Sequence, residues 1–176
     1  RIQTQFNYKI WRHILNSAGI ERFPQYHFDM VRLGIGLHGI SATHANLQPV
    51  SSFKTYISSI RNVPEGQSIG YGRKSYTTRS SRIAVIPVGY ADGLNRHLSN
   101  RVGNVFIKGK RVPIIGNICM DTCMIDVTDT NATIGDEVEI FGKHILVTEL
   151  SEQLGTIPYE ILTGISHRVK RVYYKE

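Results

Sequence analysis

The sequence predicts a mainly β fold, in which a closed or sandwiched antiparallel β domain follows a short α/β segment. After about residue 46, short runs of β-branched and aromatic residues recur at regular spacing, separated by turns rich in Gly, Pro or Asp. Before that point, two continuous apolar runs alternate with short connections, which is typical of buried parallel strands. The polar, irregular stretch 41–49 is therefore interpreted as a linker.

The two apolar runs of the front segment cover residues 11–15 and 30–37, and both are predicted to be strands. Two strands cannot form a parallel sheet by themselves, and a complete (β/α)8 barrel needs about 250 residues. We therefore interpret residues 1–45 as the tail of a larger α/β domain and residues 46–176 as a second, β domain.

The second domain combines predicted strands with two short helices near its end. Thr148 can cap a helix that runs to Leu154, with Gly155 just beyond its end, and another helix at 159–163 stops at Gly164. The strands are predicted at residues 50–60, 83–88, 104–107, 111–114, 123–127, 137–141 and 168–174.

Composition and charge exclude several classes of function. The net charge is +7 over 176 residues, but basic residues are scattered among acidic ones, so a nucleic-acid surface is not expected. No apolar run is long enough to span a bilayer, and no signal-peptide pattern opens the chain. Cys119 and Cys123 are too few for a disulfide framework and lack metal-ligand partners at suitable spacing. We expect a cytoplasmic protein with reduced thiols and without a metal site.

A tyrosine between two glycines, Gly70-Tyr71-Gly72, is the first candidate for chemistry. Glycine permits unusual backbone conformations and lets a ligand come close. A phenol presented there could donate or accept a proton, provided that its surroundings lower its pKa from about 10. The alternative is an ordinary glycine-rich turn with a tyrosine packed beside it.

A second candidate lies at the ends of the two predicted front strands. Backbone N–H groups around the glycines of 17–19 and 33–36, together with the hydroxyl of Ser17, are suited to cradle a phosphate. Arg32 is a permanent cation among apolar neighbours, which costs free energy unless it is paired or functional. His13 in the neighbouring strand could hydrogen-bond to it, so the alternative is a satisfied buried polar pair.

Two turns in the β domain are the remaining candidates. Each follows a predicted strand, and an Asp in such a turn could simply cap local N–H groups. The two turns are Gly89-Tyr90-Ala91-Asp92-Gly93 and Gly116-Asn117-Ile118-Cys119-Met120-Asp121.

Taken together and in this order, the motifs resemble the alanine racemases, enzymes that depend on pyridoxal 5′-phosphate (PLP). The resemblance runs from about Trp11 to Tyr174. It implies that residues 1–45 are the last two strands of a (β/α)8 barrel, and that the rest is an antiparallel, β-barrel-like C-terminal domain. The matching motifs are His13-Ile14-Leu15-Asn16-Ser17-Ala18, Met30-Val31-Arg32-Leu33-Gly34-Ile35, Gly70-Tyr71-Gly72, Gly89-Tyr90-Ala91-Asp92-Gly93 and Ile118-Cys119-Met120-Asp121.

The resemblance implies roles around the cofactor. Tyr71 matches the tyrosine that exchanges the Cα proton on one face of the cofactor-bound substrate, and a lysine acts on the opposite face. Arg32 matches the arginine that contacts the pyridine nitrogen of PLP. Because a guanidinium does not readily lose its proton, that nitrogen stays unprotonated. Ser17, Gly34 and Ile35 match phosphate-binding positions.

Other matches concern the substrate and supporting residues. Met120 matches the residue whose backbone N–H meets the substrate carboxylate, and Tyr90 matches a tyrosine at the pocket entrance. His13 matches the histidine that supports the arginine. Asn16 and Asp121 belong to the same motifs, and we expect them to support the site residues beside them.

The sequence departs from the family at two places. His167 stands where the family often has a tyrosine that contacts phosphate, which leaves that contact open. Nothing in the sequence matches the Schiff-base lysine that holds PLP early in the family's barrel. We therefore expect a fragment, inactive by itself, of a racemase that interconverts L- and D-alanine for peptidoglycan synthesis.

The resemblance also implies a head-to-tail homodimer, in which Tyr71 and Met120 serve the cofactor of the partner subunit. Two alternatives stay open: a non-catalytic dimerisation or docking domain of a larger chain, and a racemase with broader amino-acid specificity. Some relatives carry the racemase fused behind a Mur-type ligase. A barrel with a PLP-type lysine in the upstream sequence would favour the enzyme over the docking domain.

Overall fold

A computed structural model of the chain describes residues 3–43 and 46–174. The chain forms two compact units, Arg1–Ser51 and Ser52–Glu176, which we call the front unit and the β unit. The predicted boundary after residue 45 falls on Ala45, outside the described residues. Within the described part of the chain, no helix has both the length and the apolar character needed to cross a membrane.

The front unit contains short helices and no strand in its described residues. Helix α1 is Ser17–Arg22, and the side-chain oxygen of Asn16 caps it by accepting a hydrogen bond from the N–H of Gly19 at 3.0 Å. The connection that follows the apolar run 11–15 therefore contains a helix. Three 3₁₀ helices complete the unit: Gln3–Gln5, Pro24–Tyr26 and Ile35–His38.

The strands predicted at 11–15 and 30–37 are not formed. Isolated backbone hydrogen bonds join the two stretches, from Met30 to the carbonyl of Arg12 and from Arg32 to that of Leu15, but they do not build a ladder. The second stretch instead turns into the helix Ile35–His38. A pair of strands without further strands or a covering layer is only marginally stable, which explains the difference.

In its described residues, 52–174, the β unit has nine strands followed by two α-helices. The strands are β1 (Phe53–Tyr56), β2 (Ser59–Val63), β3 (Ser68–Ile69), β4 (Ser75–Tyr76), β5 (Ser81–Ile86), β6 (Asn104–Ile107), β7 (Lys110–Ile115), β8 (Cys123–Asp126) and β9 (Glu137–Phe141). Two 3₁₀ helices, Tyr90–Asp92 and Arg96–Leu98, lie between β5 and β6. The final helices are α2 (Val147–Gln153) and α3 (Pro158–Thr163).

Seven of these strands form one antiparallel sheet in the order β1-β9-β6-β7-β8-β5-β2. Its two edge strands are consecutive in the chain and are joined only by Ile57 and Ser58. The N–H of Ile57 donates to the carbonyl of Asp136 beside β9, whereas the N–H of Ser58 donates to that of Val85 in β5. The sheet must therefore curl until its edges approach each other. The predicted mainly β, barrel-like fold is confirmed.

The curled sheet encloses the main core. Side chains alternate along the strands, so that Ala84 and Ile86 of β5 enter the core together with Ile125 of β8. Ile83 of β5 points to the opposite face and packs in a second, smaller cluster with Ile69 and Ile115. The strands β3 and β4 form a separate two-stranded sheet. Ile69 of β3 packs in the smaller cluster and so attaches this sheet to the face of the large sheet that carries Ile83.

Several element predictions need correction. The single strand predicted at 50–60 is two strands, β1 and β2, and the pair β3–β4 was not predicted. Helix α2 begins at Val147 after Leu146, which makes no side-chain cap, so Thr148 is not the N-cap. Gly155 does follow this helix in the left-handed conformation, with φ +65°.

The strand predicted at 168–174 is absent. The guanidinium of Arg171 donates to the carbonyls of Ile165 and Ser166, and Arg168 pairs with two distant carboxylates. The alternation of charged and apolar residues, which predicts a strand, therefore reflects ion pairs and a local turn in the structure.

Candidate active site

Tyr71 lies at the tip of the loop between β3 and β4, and its side chain is 82% exposed. Gly70 and Gly72 on either side have φ values of +78° and +81°, which an L side chain rarely adopts. A Cβ on Gly70 would also lie 3.0 Å from Cε of Met124. The glycines let the loop turn tightly over the sheet, while Ile69 at its base is 5% exposed. The phenol is thus presented outward from a fixed base.

The turns that carry Tyr90 and Met120 dock on each other. The N–H groups of Tyr90 and Ala91 donate to the carbonyls of Cys119 and Met120, both at 3.0 Å. A Cβ on Gly89 would lie 2.3 Å from the same two carbonyl oxygens, so only glycine fits there. Tyr90 and Met120 are therefore held beside each other on two turns that share backbone hydrogen bonds.

Arg168 fastens these two turns from a distant part of the chain. Its Nε donates to Oδ1 of Asp92 and its Nη2 to Oδ1 of Asp121, both at 2.7 Å. The hydrogen bonds that the Arg168 guanidinium donates to Asp92 and, with a smaller effect, to Asp121 hold its pKa above the usual range. The other carboxylate oxygen of Asp92 accepts from the N–H of Gly89 at 2.9 Å, so this Asp also makes the local cap considered as an alternative.

Sequence reasoning missed Arg168 and Asn117 as residues of the site. Arg168 lies 76 residues from Asp92 and 47 from Asp121 along the chain. A local sequence motif cannot predict ion pairs at such separations. Asn117 stands inside a recognised motif, but its side chain donates to the carbonyl of Tyr71, 46 residues earlier. Only the folded chain brings these groups together.

In the front unit, Ser17 and the glycines of the predicted phosphate cradle hydrogen-bond to each other. The buried Ser17 accepts hydrogen bonds at its Oγ from the N–H groups of Gly34 at 2.9 Å and Gly36 at 3.2 Å. Because the hydroxyl oxygen is the acceptor in both bonds, its own proton remains available for an anion. Ile35 begins the 3₁₀ helix Ile35–His38, where first-turn N–H groups have no partner within the helix. Ser17 and Ile35 can therefore donate to a phosphate.

Arg32 differs from the prediction of a buried cation paired with His13. Its side chain is exposed, and Nη2 donates to the carbonyl of Ile14 at 3.0 Å. His13 is exposed as well, and in the described front unit no hydrogen bond joins it to Arg32. The absence of a formed strand pair explains why neither side chain is enclosed. Asn16 supports Ser17 indirectly, since it caps the helix that Ser17 begins.

Two further side chains complete the description. Burial, with a smaller contribution from Cys119, raises the pKa of the Cys123 thiol to about 12, so this cysteine is not a thiolate nucleophile. Both cysteines are free. His167 is exposed next to Arg168.

Comparison with known proteins agrees with this arrangement. The family model described as "Alanine racemase, C-terminal domain" matches residues 50–173, and "Alanine racemase, N-terminal domain" matches residues 1–42. Alanine racemase 2 of Caldanaerobacter subterraneus subsp. tengcongensis is 47% identical over 92% of this chain and 44% of its own length.

Solved structures give the same result. The alanine racemase from Bartonella henselae with covalently bound pyridoxal phosphate superposes with a TM-score of 0.87 and 36% identity, over 95% of this chain and 48% of that one. The alanine racemase from Bacillus anthracis with bound L-Ala-P has a TM-score of 0.86 and 35% identity, over 94% of this chain and 45% of that one.

The fold and the docked turns define a β domain that presents a tyrosine on an exposed loop. The chain belongs to the alanine racemase family. It spans about half the length of the curated relatives that it matches.

Proposed function

We propose that this chain is the C-terminal part of an enzyme that interconverts L- and D-alanine by moving the Cα proton between the two faces of the substrate. The observation that carries this proposal is the outward presentation of Tyr71, 82% exposed on a loop with a fixed base, in a chain of this family. The relatives are named alanine racemases, and the Bacillus anthracis structure contains L-Ala-P.

We further propose that the complete protein uses PLP. The Bartonella henselae relative holds pyridoxal phosphate covalently, and the hydroxyl of Ser17 and the N–H of Ile35 can donate to a phosphate. When bound, PLP withdraws electrons from Cα of the amino acid and so acidifies its proton. Arg32 would donate to the pyridine nitrogen, and because a guanidinium keeps its proton in proteins, this contact leaves the nitrogen unprotonated.

Residues of the β unit would transfer the proton, bind the substrate carboxylate and border the entrance of the pocket. As the phenolate, Tyr71 would accept the Cα proton on one face, and the phenol so formed would return a proton to that face in the reverse direction. The backbone N–H of Met120 donates to the substrate carboxylate, while the pair between Arg168 and Asp121 holds the turn that carries Met120. Tyr90 borders the entrance, beside an open depression of about 350 Å³ that it lines together with Arg96.

The complete protein is proposed to be a homodimer, in which Tyr71 and Met120 of one subunit serve the cofactor of the other. A lysine outside the residues matched here would act on the opposite face, so this chain alone is expected not to racemise alanine. The two free cysteines suit the reducing cytoplasm, where D-alanine would be supplied for peptidoglycan.

Substitution of Tyr71 by Phe in the complete enzyme tests the proposal. We expect Tyr71→Phe to slow solvent deuterium exchange at Cα about 10²- to 10⁴-fold for one enantiomer only, since one general acid–base group is lost. Cofactor absorbance should stay unchanged. Tyr56→Phe, which alters another exposed tyrosine, in β1, is the matched control and should exchange both enantiomers at the normal rate.

Equal exchange of both enantiomers by Tyr71→Phe would refute the role of Tyr71. Racemisation by the purified 176-residue chain with added PLP would refute the requirement for the rest of the enzyme.

A further inference from the structure

The loop that presents Tyr71 has little apolar attachment of its own. Beyond Ile69, whose side chain packs against Ile83 and Ile115, the loop residues 71–74 are exposed. The general base of a proton transfer must nevertheless be held within a fraction of an ångström of its target, because small misplacements cost large factors in rate. Some other contact has to hold the loop.

Asn117 makes that contact. Its Nδ2 donates to the backbone carbonyl of Tyr71 at 2.8 Å, and its side chain is only 8% exposed. A buried amide hydrogen bond to a neutral carbonyl is directional, and loss of the donor leaves the carbonyl without its partner. The contact therefore fixes the backbone of the catalytic residue itself.

The orientation of the Asn117 amide is in turn fixed by its neighbours. Its Oδ1 accepts from Nδ2 of Asn100 at 3.1 Å, and Oδ1 of Asn100 accepts from Oγ of Ser75 at 2.7 Å. Ser75 belongs to β4 at the far end of the same loop. The relay Ser75–Asn100–Asn117 thus holds the loop at Tyr71 and at its far end, and the amide of Asn117 accepts from Asn100 and donates to Tyr71 simultaneously.

Asn117 also belongs to the segment that carries Met120. The next residue, Ile118, donates its N–H to Oγ of Ser99 at 2.9 Å and is 1% exposed, so this segment cannot shift freely. From these contacts we infer that Asn117 is a positioning residue, which sets the distance between the Tyr71 phenol and the Met120 backbone that binds the substrate carboxylate. This inference rests on the proposed function and adds to it a residue that reaches the reaction only through Tyr71.

The test substitutes Asn117 by Asp, which keeps the shape and removes the donor. In the complete holoenzyme, Asn117→Asp should slow deuterium exchange on the face served by Tyr71 about 10- to 100-fold, while exchange on the opposite face stays within about twofold. Asn62→Asp makes the same chemical change on the exposed surface of β2, and it should change neither face.

A second measurement does not depend on the cofactor. Hydrogen–deuterium exchange of the 176-residue chain, followed by mass spectrometry, should show faster exchange of peptides covering 70–74 in Asn117→Asp. Peptides covering β6 and β9 should be unchanged. This separates release of the loop from general unfolding.

If Asn117→Asp fails to fold, Asn100→Asp carries the test, since Asn100 is exposed and Asp tolerates its φ of +56°. It removes the donor to Asn117 and should slow the same face about tenfold. Equal slowing of both faces, or no slowing with unchanged loop exchange, would overturn the inference. Tyr71→Phe in the same assay separates failure of the proposed function from failure of the role of Asn117. If only Tyr71→Phe loses deuterium exchange on one face, the proposed function stands and the role of Asn117 alone is rejected.

Discussion

The front unit and the β unit show two ways in which similar apolar sequence can behave. In residues 3–43 and 46–51, Leu15 is the only buried apolar side chain, whereas Trp11, Ile14 and Leu37 are each 61% exposed. In the β unit, Ile125 and other β-branched residues of the curled sheet have no exposure at all. Apolar segments with equally strong strand patterns form strands only where other strands lie beside them.

The same difference separates the two parts of the candidate site. In the front unit, the residues of the predicted phosphate cradle are joined by local hydrogen bonds. The Oγ of Ser17 accepts from the N–H groups of two nearby glycines. In the β unit, Tyr71, Tyr90 and Met120 are placed by contacts to Asn117 and Arg168 that cross dozens of residues. The β unit should therefore hold its site rigidly, while the front unit depends on whatever packs against its apolar surface.

The strongest test of this comparison removes one apolar side chain from each unit. Ile125→Ala should lower the free energy of unfolding of the β unit by about 3 to 4 kcal/mol, because it leaves a cavity in a closed core. Leu37→Ala in the exposed front unit should cost under about 0.5 kcal/mol. Urea unfolding followed by far-UV circular dichroism measures both losses in free energy of unfolding. Ile125→Val removes fewer atoms from the core and is expected to cost about 1 kcal/mol, so the loss should increase with the volume removed. Equal losses from the two alanine variants would break the comparison.

Local patterns in the sequence predicted much of the β unit. The strands at 104–107 and 137–141 coincide with β6 and β9, and the glycines around Tyr71 indeed make a turn. These features depend on neighbours in sequence, namely alternation and glycine conformations, so sequence reasoning reaches them.

What could not be predicted depends on partners far along the chain. Arg168 was assigned to a strand because it alternates with apolar residues, yet its partners are Asp92 and Asp121. The exposure of Arg32 likewise follows from the absence of flanking strands in the described residues of the front unit. A pattern of residue types carries no information about pairs of charges 76 residues apart, since either carboxylate could equally have capped its own turn.

A second prediction concerns two carboxylates with similar partners and different burial. Glu139 in β9, 6% exposed, accepts from the N–H groups of His144 and Ile145 and from the His144 ring. Burial would raise its pKa, but these hydrogen bonds outweigh burial and hold the pKa below its usual range. Its stabilisation is therefore present above the unfolded-state pKa and is lost as pH falls through the lower, folded-state pKa.

We expect Glu139→Gln to lower the free energy of unfolding by about 1 to 2 kcal/mol at neutral pH, and to make stability less dependent on pH below about 5. Glu21 of the front unit is the counterpart, since it accepts from Ser41 and Thr43 but is only half-buried. Glu21→Gln should cost less. Unfolding midpoints measured across this acidic range check both variants, and an unchanged pH dependence in Glu139→Gln would contradict the role of its carboxylate.

The smallest expected difference is between two exposed ion pairs. Arg111 in β7 donates to Glu149 of α2 from both terminal guanidinium nitrogens, Nη1 at 2.5 Å and Nη2 at 2.9 Å. It also donates to the carbonyl of His144. Arg12 and Asp29 pair in the front unit through one side-chain contact at 2.9 Å. Two parallel bonds between rigid elements lose less entropy than a single bond between irregular segments.

Double-mutant cycles with alanine should therefore give a coupling free energy of about 0.5 to 1 kcal/mol for Arg111 and Glu149 in urea unfolding at low salt. In 1 M NaCl this coupling should fall by about half, because the pair is partly exposed and the Debye length shrinks to about 3 Å. The cycle for Arg12 and Asp29 should give a smaller coupling under the same conditions. If the front-unit pair couples as strongly, the ordering of the surrounding elements does not decide the strength of a surface ion pair. The contrast between the units would then be confined to their cores.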